Sequence, residues 1–276
     1  MKGREVPSRY RVKGLFVEEA PPVPATKGVA RPPLLLLHGA CHGAWCWENW
    51  LAALPLRGWH TFTMALRNHP GSHIFDRETY CRHTRVADYV EDVATITHHI
   101  GRPCVVIGHS MGGIVMQKYT ETSTRSGLLP PAGMILLASA PPGNFGPIRP
   151  EALPEDQPYL PEKEFARQYF ITHASPEVSR RTVDRLVGES PSVLNDYSRP
   201  PGVVVEPGSI QCPTLVISAE EDRTIVPKDD WLAGHLGAEY HLAKGMGHGL
   251  MYETGWEGLL DVVCVWLDRQ FPGGDC

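Results

Sequence analysis

The chain has 276 residues, 42% of them hydrophobic, which is enough for one large buried core in a single domain over residues 1–276. Its 26 basic and 31 acidic residues give a net charge of −5, and no basic stripe indicates a nucleic-acid partner. There is no secretory signal and no apolar run approaching the roughly 18 residues of a membrane span, so we expect a cytoplasmic protein without an integral membrane segment.

Strand-like and helix-like segments alternate along the first half of the chain. A strand is predicted at residues 9–18, followed by a proline-rich connection or hairpin at 20–33. Further strands are predicted at 34–37, 59–65, 104–107 and 134–138, and helices at 47–56, 84–100 and 111–122. This alternation predicts an α/β fold with a mostly parallel central sheet and helices on both faces.

The alternation is interrupted at residues 141–210 and then resumes. The interrupted part is rich in proline, and its helix-like stretches lie at 162–173, 176–188 and 190–197. After it, strands are predicted at 213–218 and 238–242, and an apolar helix at 256–271. We therefore expect a helical lid at 141–210 on a core formed by 1–140 and 211–276.

Aromatic side chains of the expected lid are candidates for contact with a substrate. They include Phe145, Tyr159, Phe165, Tyr169 and Phe170, together with the apolar Leu186. An insertion at this point of the chain would lie over the carboxyl ends of the strands, where crevices open in parallel sheets. These residues therefore line a substrate pocket or, alternatively, pack the lid itself.

The candidate nucleophile lies in a short glycine-rich turn. Residues 108–113 read G-H-S-M-G-G, directly after a predicted strand and directly before a predicted helix. In a G-x-S-x-G elbow the strained turn exposes the serine hydroxyl, and the N-terminus of the helix favours negative charge beside it. The sequence therefore predicts Ser110 as a nucleophile and the Met111 N–H as one donor to an oxyanion.

The second oxyanion donor is predicted in the loop after the strand at 34–37. This loop reads H-G-A-C-H-G and begins at His38. Enzymes with a serine elbow take one donor from the residue after the nucleophile and another from such an earlier loop. We assign the second donor to the Ala40 N–H, with Cys41 as the alternative. His38, Gly39 and Cys41 are predicted to border the substrate, and the alternative for Gly39 is a turn glycine.

A serine hydroxyl near neutral pH needs a histidine base and a carboxylate that orients the base. His248 lies in a glycine-flanked loop between the last predicted strand and the C-terminal helix. Asp222 follows the strand predicted at 213–218, with Glu220 and Glu221 as neighbouring alternatives; all three could also be solvated loop charges. The chain order is serine, aspartate, histidine, as expected of an α/β-hydrolase.

Together these motifs resemble an α/β-hydrolase-fold serine hydrolase over residues 34–271. The segment L-L-L-L-H-G-A-C-H-G-A-W-C-W at 34–47 is similar to the plant methylesterase and hydroxynitrile lyase group. The segment L-R-N-H-P-G-S at 66–72 resembles the L-R-G-H-G-x-S loop of bacterial lysophospholipase and monoacylglycerol lipase-like proteins, as does V-A-D-Y-V-E-D-V at 86–93. The resemblance implies an esterase.

Departures from these patterns narrow the expected chemistry. Asn68 and Pro70 depart from the lipase-like loop, which leaves the path of that loop open. Hydroxynitrile lyases have a threonine at the position of Gly39 and a lysine at that of Gly249, so hydrolysis is favoured over cyanohydrin cleavage. Ser110 argues against haloalkane dehalogenases and epoxide hydrolases, which have an aspartate at the elbow.

The prediction is a serine hydrolase that cleaves short-to-medium acyl or monoacyl lipid esters through an acyl-enzyme. Its partner is a small-molecule ester substrate, and it requires no metal or organic cofactor. Other chemistry on the same triad stays open, namely thioester or lactone hydrolysis, acyl transfer and carbon–carbon bond cleavage, as does a hydrolase-like ligand-binding receptor. The oligomeric state is also open.

The remaining cysteines and histidines give no sign of a second site. The seven cysteines lack a paired C-x-x-C spacing, so reduced thiols are expected. His69 and His73 have no carboxylate or cysteine at ligand spacing, and we expect them to be surface or packing residues. His109, beside the candidate nucleophile, is expected to pack and not to act as a second base.

Overall fold

An eight-stranded sheet forms the centre of the computed structural model, which describes residues 7–23, 31–145, 151–225 and 230–273. The strands are β1 (Ser8–Val12), β2 (Leu15–Ala20), β3 (Leu34–Leu37), β4 (Thr61–Met64), β5 (Val105–His109), β6 (Gly133–Leu137), β7 (Thr214–Ala219) and β8 (Glu239–Ala243). Their order in the sheet is β1-β2-β4-β3-β5-β6-β7-β8.

Only the first two strands break the parallel arrangement. β1 pairs antiparallel with β2, and β2 pairs antiparallel with β4. All neighbours from β4 to β8 are parallel. The four leucines of β3 and all residues of β5, β6 and β7 are buried, because helices cover both faces and each side chain meets a packed layer. The predicted α/β fold with a mostly parallel sheet is confirmed.

Eight α-helices lie in the described part of the chain. They are α1 (Glu48–Ala53), α2 (Val86–Ile100), α3 (Met111–Ser126), α4 (Lys163–Tyr169), α5 (Pro176–Arg185), α6 (Pro191–Ser198), α7 (Asp230–Leu236) and α8 (Trp256–Gln270). Apolar residues of α1 and α8 pack on one face of the sheet, with Leu34 and Leu36 of β3. Those of α2, α3 and α7 pack on the other face, with Leu35 and Leu37.

Three of these helices, α4 to α6, lie within residues 141–210, between β6 and β7. The starts of α5 and α6 follow from the sequence, because each has a serine N-cap followed by proline. Ser175 accepts a hydrogen bond from the Val178 N–H and Ser190 accepts one from the Val193 N–H. The three predicted helices are therefore present, and their interpretation as a lid stays a prediction.

Local differences from the predicted elements have simple causes. The predicted strand at 9–18 is a hairpin, since Lys13 and Gly14 have φ angles of +48° and +88° and reverse the chain between β1 and β2. The predicted helix at 47–56 is reduced to α1 between two 3₁₀ turns. Helix α7 was not predicted. Among the described helices, none is both long and apolar enough to span a bilayer.

Candidate active site

Ser110 lies at the turn between β5 and α3 in a strained backbone conformation, with φ +53° and ψ −122°. Such a conformation costs a non-glycine residue about 1–3 kcal/mol and persists only where the surroundings fix it. Here the Ser110 N–H donates to the Leu137 carbonyl, and the Ser110 carbonyl accepts from the N–H groups of Gly113 and Ala140, all at 2.8–3.0 Å. The end of β6 therefore holds the elbow in place.

The loop at 38–43 packs directly against this elbow, and two glycines permit the close approach. A Cβ atom at Gly112 would lie 2.5 Å from the His38 carbonyl oxygen. A Cβ atom at Gly39 would lie 2.9 Å from Ser110 Cβ. Both distances are below any normal contact, so larger residues here would push the loop away from Ser110.

Two backbone N–H groups beside Ser110 have no acceptor among the described residues, those of Ala40 and Met111. The Ala40 carbonyl accepts a hydrogen bond from His42 Nδ1 at 2.7 Å, which orients its peptide. Cys41, the alternative donor, instead directs its N–H to Glu189 Oε2 at 3.4 Å. The geometry thus leaves Ala40 and Met111 as available donors.

Asp222 and His248 meet although 26 residues separate them in the chain. Asp222 follows β7 and His248 follows β8, and these parallel strands end at the same edge of the sheet. His248 Nδ1 donates to Asp222 Oδ2 at 2.8 Å, while Oδ1 accepts from the N–H groups of Thr224 and Ile225. Both side chains are buried. This arrangement leaves His248 Nε2 for another partner.

Burial opposes ionisation of Asp222, but His248 and the two backbone N–H groups hold its pKa below the usual value. The carboxylate is therefore charged at neutral pH. The neighbouring carboxylates are engaged elsewhere: Glu220 accepts from the Gly245 N–H at 2.9 Å, and Glu221 lies 2.8 Å from His173 Nε2. Of the three candidate acids, Asp222 is the one that contacts His248.

Two further histidines surround this pair without being placed to act as the base. His109 Nε2 donates to the His248 carbonyl at 2.8 Å and so ties the His248 loop to the elbow. His42 has its Nε2 3.1 Å from the Tyr252 hydroxyl. Burial lowers the pKa of His109 far below the usual range and that of His42 to about 4, so both rings are neutral at pH 7.

A small cavity of about 50 Å³ lies beside Ser110 and His248, and neither Asp222 nor Met111 is part of its lining. Its core side is formed by Ala40, Cys41, His42, His109, Ser110, Thr224 and His248. The opposite side is formed by residues of the 141–210 segment, namely Tyr159, Phe170, Leu194 and Tyr197. Among the described residues Ser110 Oγ makes no hydrogen bond; in unliganded enzymes the contact between nucleophile and base is often long.

The structure does not bring every predicted substrate-binding residue to this cavity. His38 is fully buried, and its Nε2 accepts from the Leu66 N–H at 3.2 Å. Phe165 is 41% exposed, with its ring stacked on that of Tyr169 at 4.4 Å, and neither lines the cavity. Phe145 ends a 3₁₀ turn, and its side chain lies outside the described part. Cys41 does line the cavity, and Gly39 abuts Ser110.

A larger groove of about 790 Å³ lies elsewhere on the surface, lined by Phe16, Val23, Trp45, Leu51 and Leu56 among others. None of the predicted catalytic residues contributes to it. The small cavity is therefore the candidate active site on chemical grounds, despite its size. Within the described ranges, no group of three or more His, Cys, Asp or Glu side chains is arranged to hold a metal ion.

Phe170, one of the aromatic residues predicted to line a substrate pocket, follows α4, and its ring lies 5.9 Å from that of His248. Sequence reasoning missed a buried pair in the surroundings of the site. Glu189 and His69 form a buried ion pair behind the 38–43 loop, at 3.1 Å. His69 was expected at the surface or in packing; it is buried, and its partner comes from 120 positions away, so no local pattern signals the pair.

The sequence profile of the Alpha/beta hydrolase family matches residues 34–262. Esterase PIR7B of Oryza sativa subsp. japonica is 34% identical over 83 residues, which are 29% of this chain and 30% of that protein. The chain spans less than a third of the length of the curated relatives that it matches.

Solved structures are similar over most of the chain. A methylesterase from Arabidopsis superposes with a TM-score of 0.66 at 18% identity, over 86% of this chain and 98% of that one. A bromoperoxidase from Bacillus anthracis gives a TM-score of 0.71 at 14% identity, over 96% of this chain and 100% of that one. At such identities the likeness concerns the fold alone, and its members carry different chemistries.

Proposed function

This chain belongs to the alpha/beta hydrolase family, and from that premise we propose that it is a serine esterase acting on small, neutral carboxylic esters. The observation that carries the proposal is the 2.8 Å hydrogen bond from His248 to Asp222, in a cavity that Ser110 also lines. A buried carboxylate that fixes one imidazole nitrogen leaves the other as a general base. The esterase named among the relatives agrees with this assignment.

In the proposed mechanism Ser110 Oγ attacks the ester carbonyl carbon while His248 Nε2 accepts its proton. Asp222 stabilises the resulting imidazolium, and the N–H groups of Ala40 and Met111 bind the oxyanion. The imidazolium then returns the proton to the leaving alcohol as the carbon–oxygen bond breaks. Water attacks the acyl-enzyme by the same route, which releases the acid and restores the serine.

The cavity suggests which esters fit. Its lining includes no Lys, Arg, Asp or Glu among the described residues, so a neutral substrate avoids burying an unpaired charge. Its volume of about 50 Å³ favours a short acyl group over the acyl chain of a monoacyl lipid. Residues 141–210 are proposed to act as a lid, since Tyr159 and Phe170 close the cavity from that segment.

The test is labelling with a fluorophosphonate probe, together with hydrolysis of p-nitrophenyl acetate, butyrate, octanoate and palmitate. We expect wild type to be labelled and to prefer acetate or butyrate, and we expect S110A to lose labelling and at least about 10⁴-fold in kcat. Ser126, an exposed serine in the same helix α3, supplies the matched control, because S126A should behave as wild type.

The outcomes separate the parts of the proposal. Folded wild type that resists labelling would contradict the serine mechanism. Labelling without ester turnover would favour another acyl substrate or a ligand-binding role. A preference for palmitate would retain the mechanism and contradict the short acyl group.

A further inference from the structure

Glu189 lies between α5 and α6, fully buried, and its carboxylate is surrounded by donors from several elements. Oε1 lies 2.6 Å from the Tyr89 hydroxyl, 2.8 Å from the Ser190 N–H nitrogen and 3.2 Å from the Tyr80 hydroxyl. Oε2 accepts from His69 Nε2 at 3.1 Å and from the Cys41 N–H at 3.4 Å. One carboxylate thus connects residues 141–210 to the core and to the 38–43 loop.

The charge of this carboxylate is fixed by His69. The imidazole donates from Nε2 to Glu189 and from Nδ1 to the Arg67 carbonyl at 2.9 Å, so both ring nitrogens act as donors. Burial opposes both charges, but the two partners compensate for it. The pKa of Glu189 falls to about 2, and that of His69 rises.

The ion pair faces one particular peptide of the loop, the Ala40–Cys41 unit. In this peptide the Cys41 N–H points to Glu189, and the Ala40 carbonyl accepts from His42 Nδ1 at 2.7 Å. Cys41 has φ +64°, and its own carbonyl accepts from the Val187 N–H at 2.9 Å. A flip of the Ala40–Cys41 peptide would turn a carbonyl oxygen toward the Glu189 carboxylate, which like charge disfavours. The carboxylate therefore selects one orientation of the peptide that adjoins the Ala40 N–H.

We propose that Glu189 is a positioning residue for the oxyanion donor Ala40, with His69 holding its charge. Glu189 does not line the cavity and touches no reacting atom; it acts through the Ala40–Cys41 peptide. Because Val187 and Glu189 precede α6, the proposed lid and the oxyanion loop are coupled through the same contact. This inference rests on the proposed esterase function.

The variant E189Q tests it most directly. Glutamine keeps an acceptor for Tyr89 and can donate to a neutral His69, but it leaves the Cys41 N–H without its carboxylate. Since complete loss of one oxyanion donor lowers kcat by about 10²–10³, we expect misorientation to lower kcat about 10- to 100-fold, with KM changed less than about threefold. Affinity for a boronic acid that mimics the tetrahedral intermediate should fall by the same factor.

The matched control is E121Q. Glu121 is also a buried carboxylate, paired with Lys118 and accepting the Glu206 N–H at 2.9 Å, but it lies away from the cavity. E121Q should lower thermal stability and leave kcat unchanged. Active protein is counted by fluorophosphonate titration, so that unfolded material does not mimic a loss of kcat.

The results distinguish this inference from the proposed function. If wild type is labelled and E189Q keeps wild-type kcat and boronic acid affinity, Glu189 has no positioning role. If folded wild type is not labelled, the esterase function itself fails, and the inference fails with it. Should E189Q not fold, E189D replaces it, because a carboxylate one methylene shorter keeps its charge beside His69 but withdraws from Cys41; the same fall in kcat is then expected.

Discussion

Two buried histidine–carboxylate pairs lie beside the 38–43 loop, and they differ in whether the histidine has a ring nitrogen without a partner among the described residues. His248 donates Nδ1 to Asp222 at 2.8 Å and keeps Nε2 without a partner among the described residues. His69 lies 3.1 Å from Glu189 and uses both ring nitrogens within the protein. His248 of the first pair lines the small cavity, whereas neither His69 nor Glu189 does.

The same pair of side-chain types can serve catalysis or structure, depending on which of their hydrogen-bonding atoms are still free. A base needs a free nitrogen and access to a substrate proton. A buried pair with a structural role needs every donor and acceptor satisfied, because an unsatisfied buried polar group costs more free energy than one hydrogen bond contributes. His248 meets the first condition and Glu189 meets the second, with donors on both oxygens.

The largest expected effect is on catalysis at the first pair. In D222N the amide oxygen stays with the N–H groups of Thr224 and Ile225, so the amide NH2 faces His248 Nδ1. The imidazole then accepts at Nδ1, carries its proton on Nε2, where a base must be free, and loses its counterion. We expect kcat to fall about 10⁴-fold with little change in thermal stability. Steady-state hydrolysis and thermal unfolding of wild type and D222N measure this. Retention of more than about a tenth of wild-type kcat would remove Asp222 from the mechanism.

For stability we expect the larger effect at the second pair, Glu189 and His69. E189A leaves His69 Nε2 and the Tyr89 hydroxyl buried without their acceptor, and we expect a loss of about 3–5 kcal/mol in free energy of unfolding. Among the described residues D222A strands fewer donors, and one of them, His248, lines the cavity, so this variant should lose about 1–2 kcal/mol. Urea unfolding of both variants gives the comparison. Equal losses, or a larger loss in D222A, would contradict the assignment of Glu189 as the structural carboxylate.

The first pair could be predicted from the sequence and the second could not. Ser110, Asp222 and His248 each follow a strand of recognisable apolar character, and parallel strands bring their carboxyl ends together. Local sequence was therefore sufficient to name three residues that the fold places at one edge of the sheet. Glu189 follows no strand, and its partners come from elements whose packing the sequence pattern does not specify.

The aromatic residues of the 141–210 segment show the same limit at closer range. Phe165 and Phe170 are five positions apart and equally apolar, yet Phe170 lines the cavity and Phe165 is 41% exposed. Phe170 is the C-cap of α4 and still has helical dihedrals, with its N–H donating to the Ala166 carbonyl, so five residues of helix turn it about 140° away from Phe165. Which ring faces the cavity is decided by how α4 docks on the core, and that depends on distant residues.

The smallest expected effect is the pH dependence of stability that the second pair contributes. The folded pKa of Glu189, about 2, lies below its ordinary 4.5, so its contribution is present above about pH 4.5 and is lost as the pH falls toward 2. The folded pKa of His69 is raised above 6.5, so its contribution is complete below that pH and is lost as the pH rises through the raised value. Nearby His38, with a pKa lowered to about 3 by burial and by His69, stays neutral across most of this range.

E189Q should therefore flatten both limbs of the curve of unfolding free energy against pH. Between pH 4.5 and 2 the unfolding free energy of E189Q should fall by up to about 3 kcal/mol less than that of wild type, which is the free-energy equivalent of the lowered pKa of Glu189. A residual acid limb should persist, because the pKa values of Asp222 and Glu121 are also lowered, and D222N should reduce that remainder without removing it. Urea unfolding of wild type, E189Q and D222N, from pH 2 to above the raised pKa of His69, measures the acid and the basic limb. Parallel curves for wild type and E189Q would mean that the second pair is not ionised in the folded protein. The two pairs would then differ in their hydrogen-bond geometry alone, and not in how their charges contribute to stability.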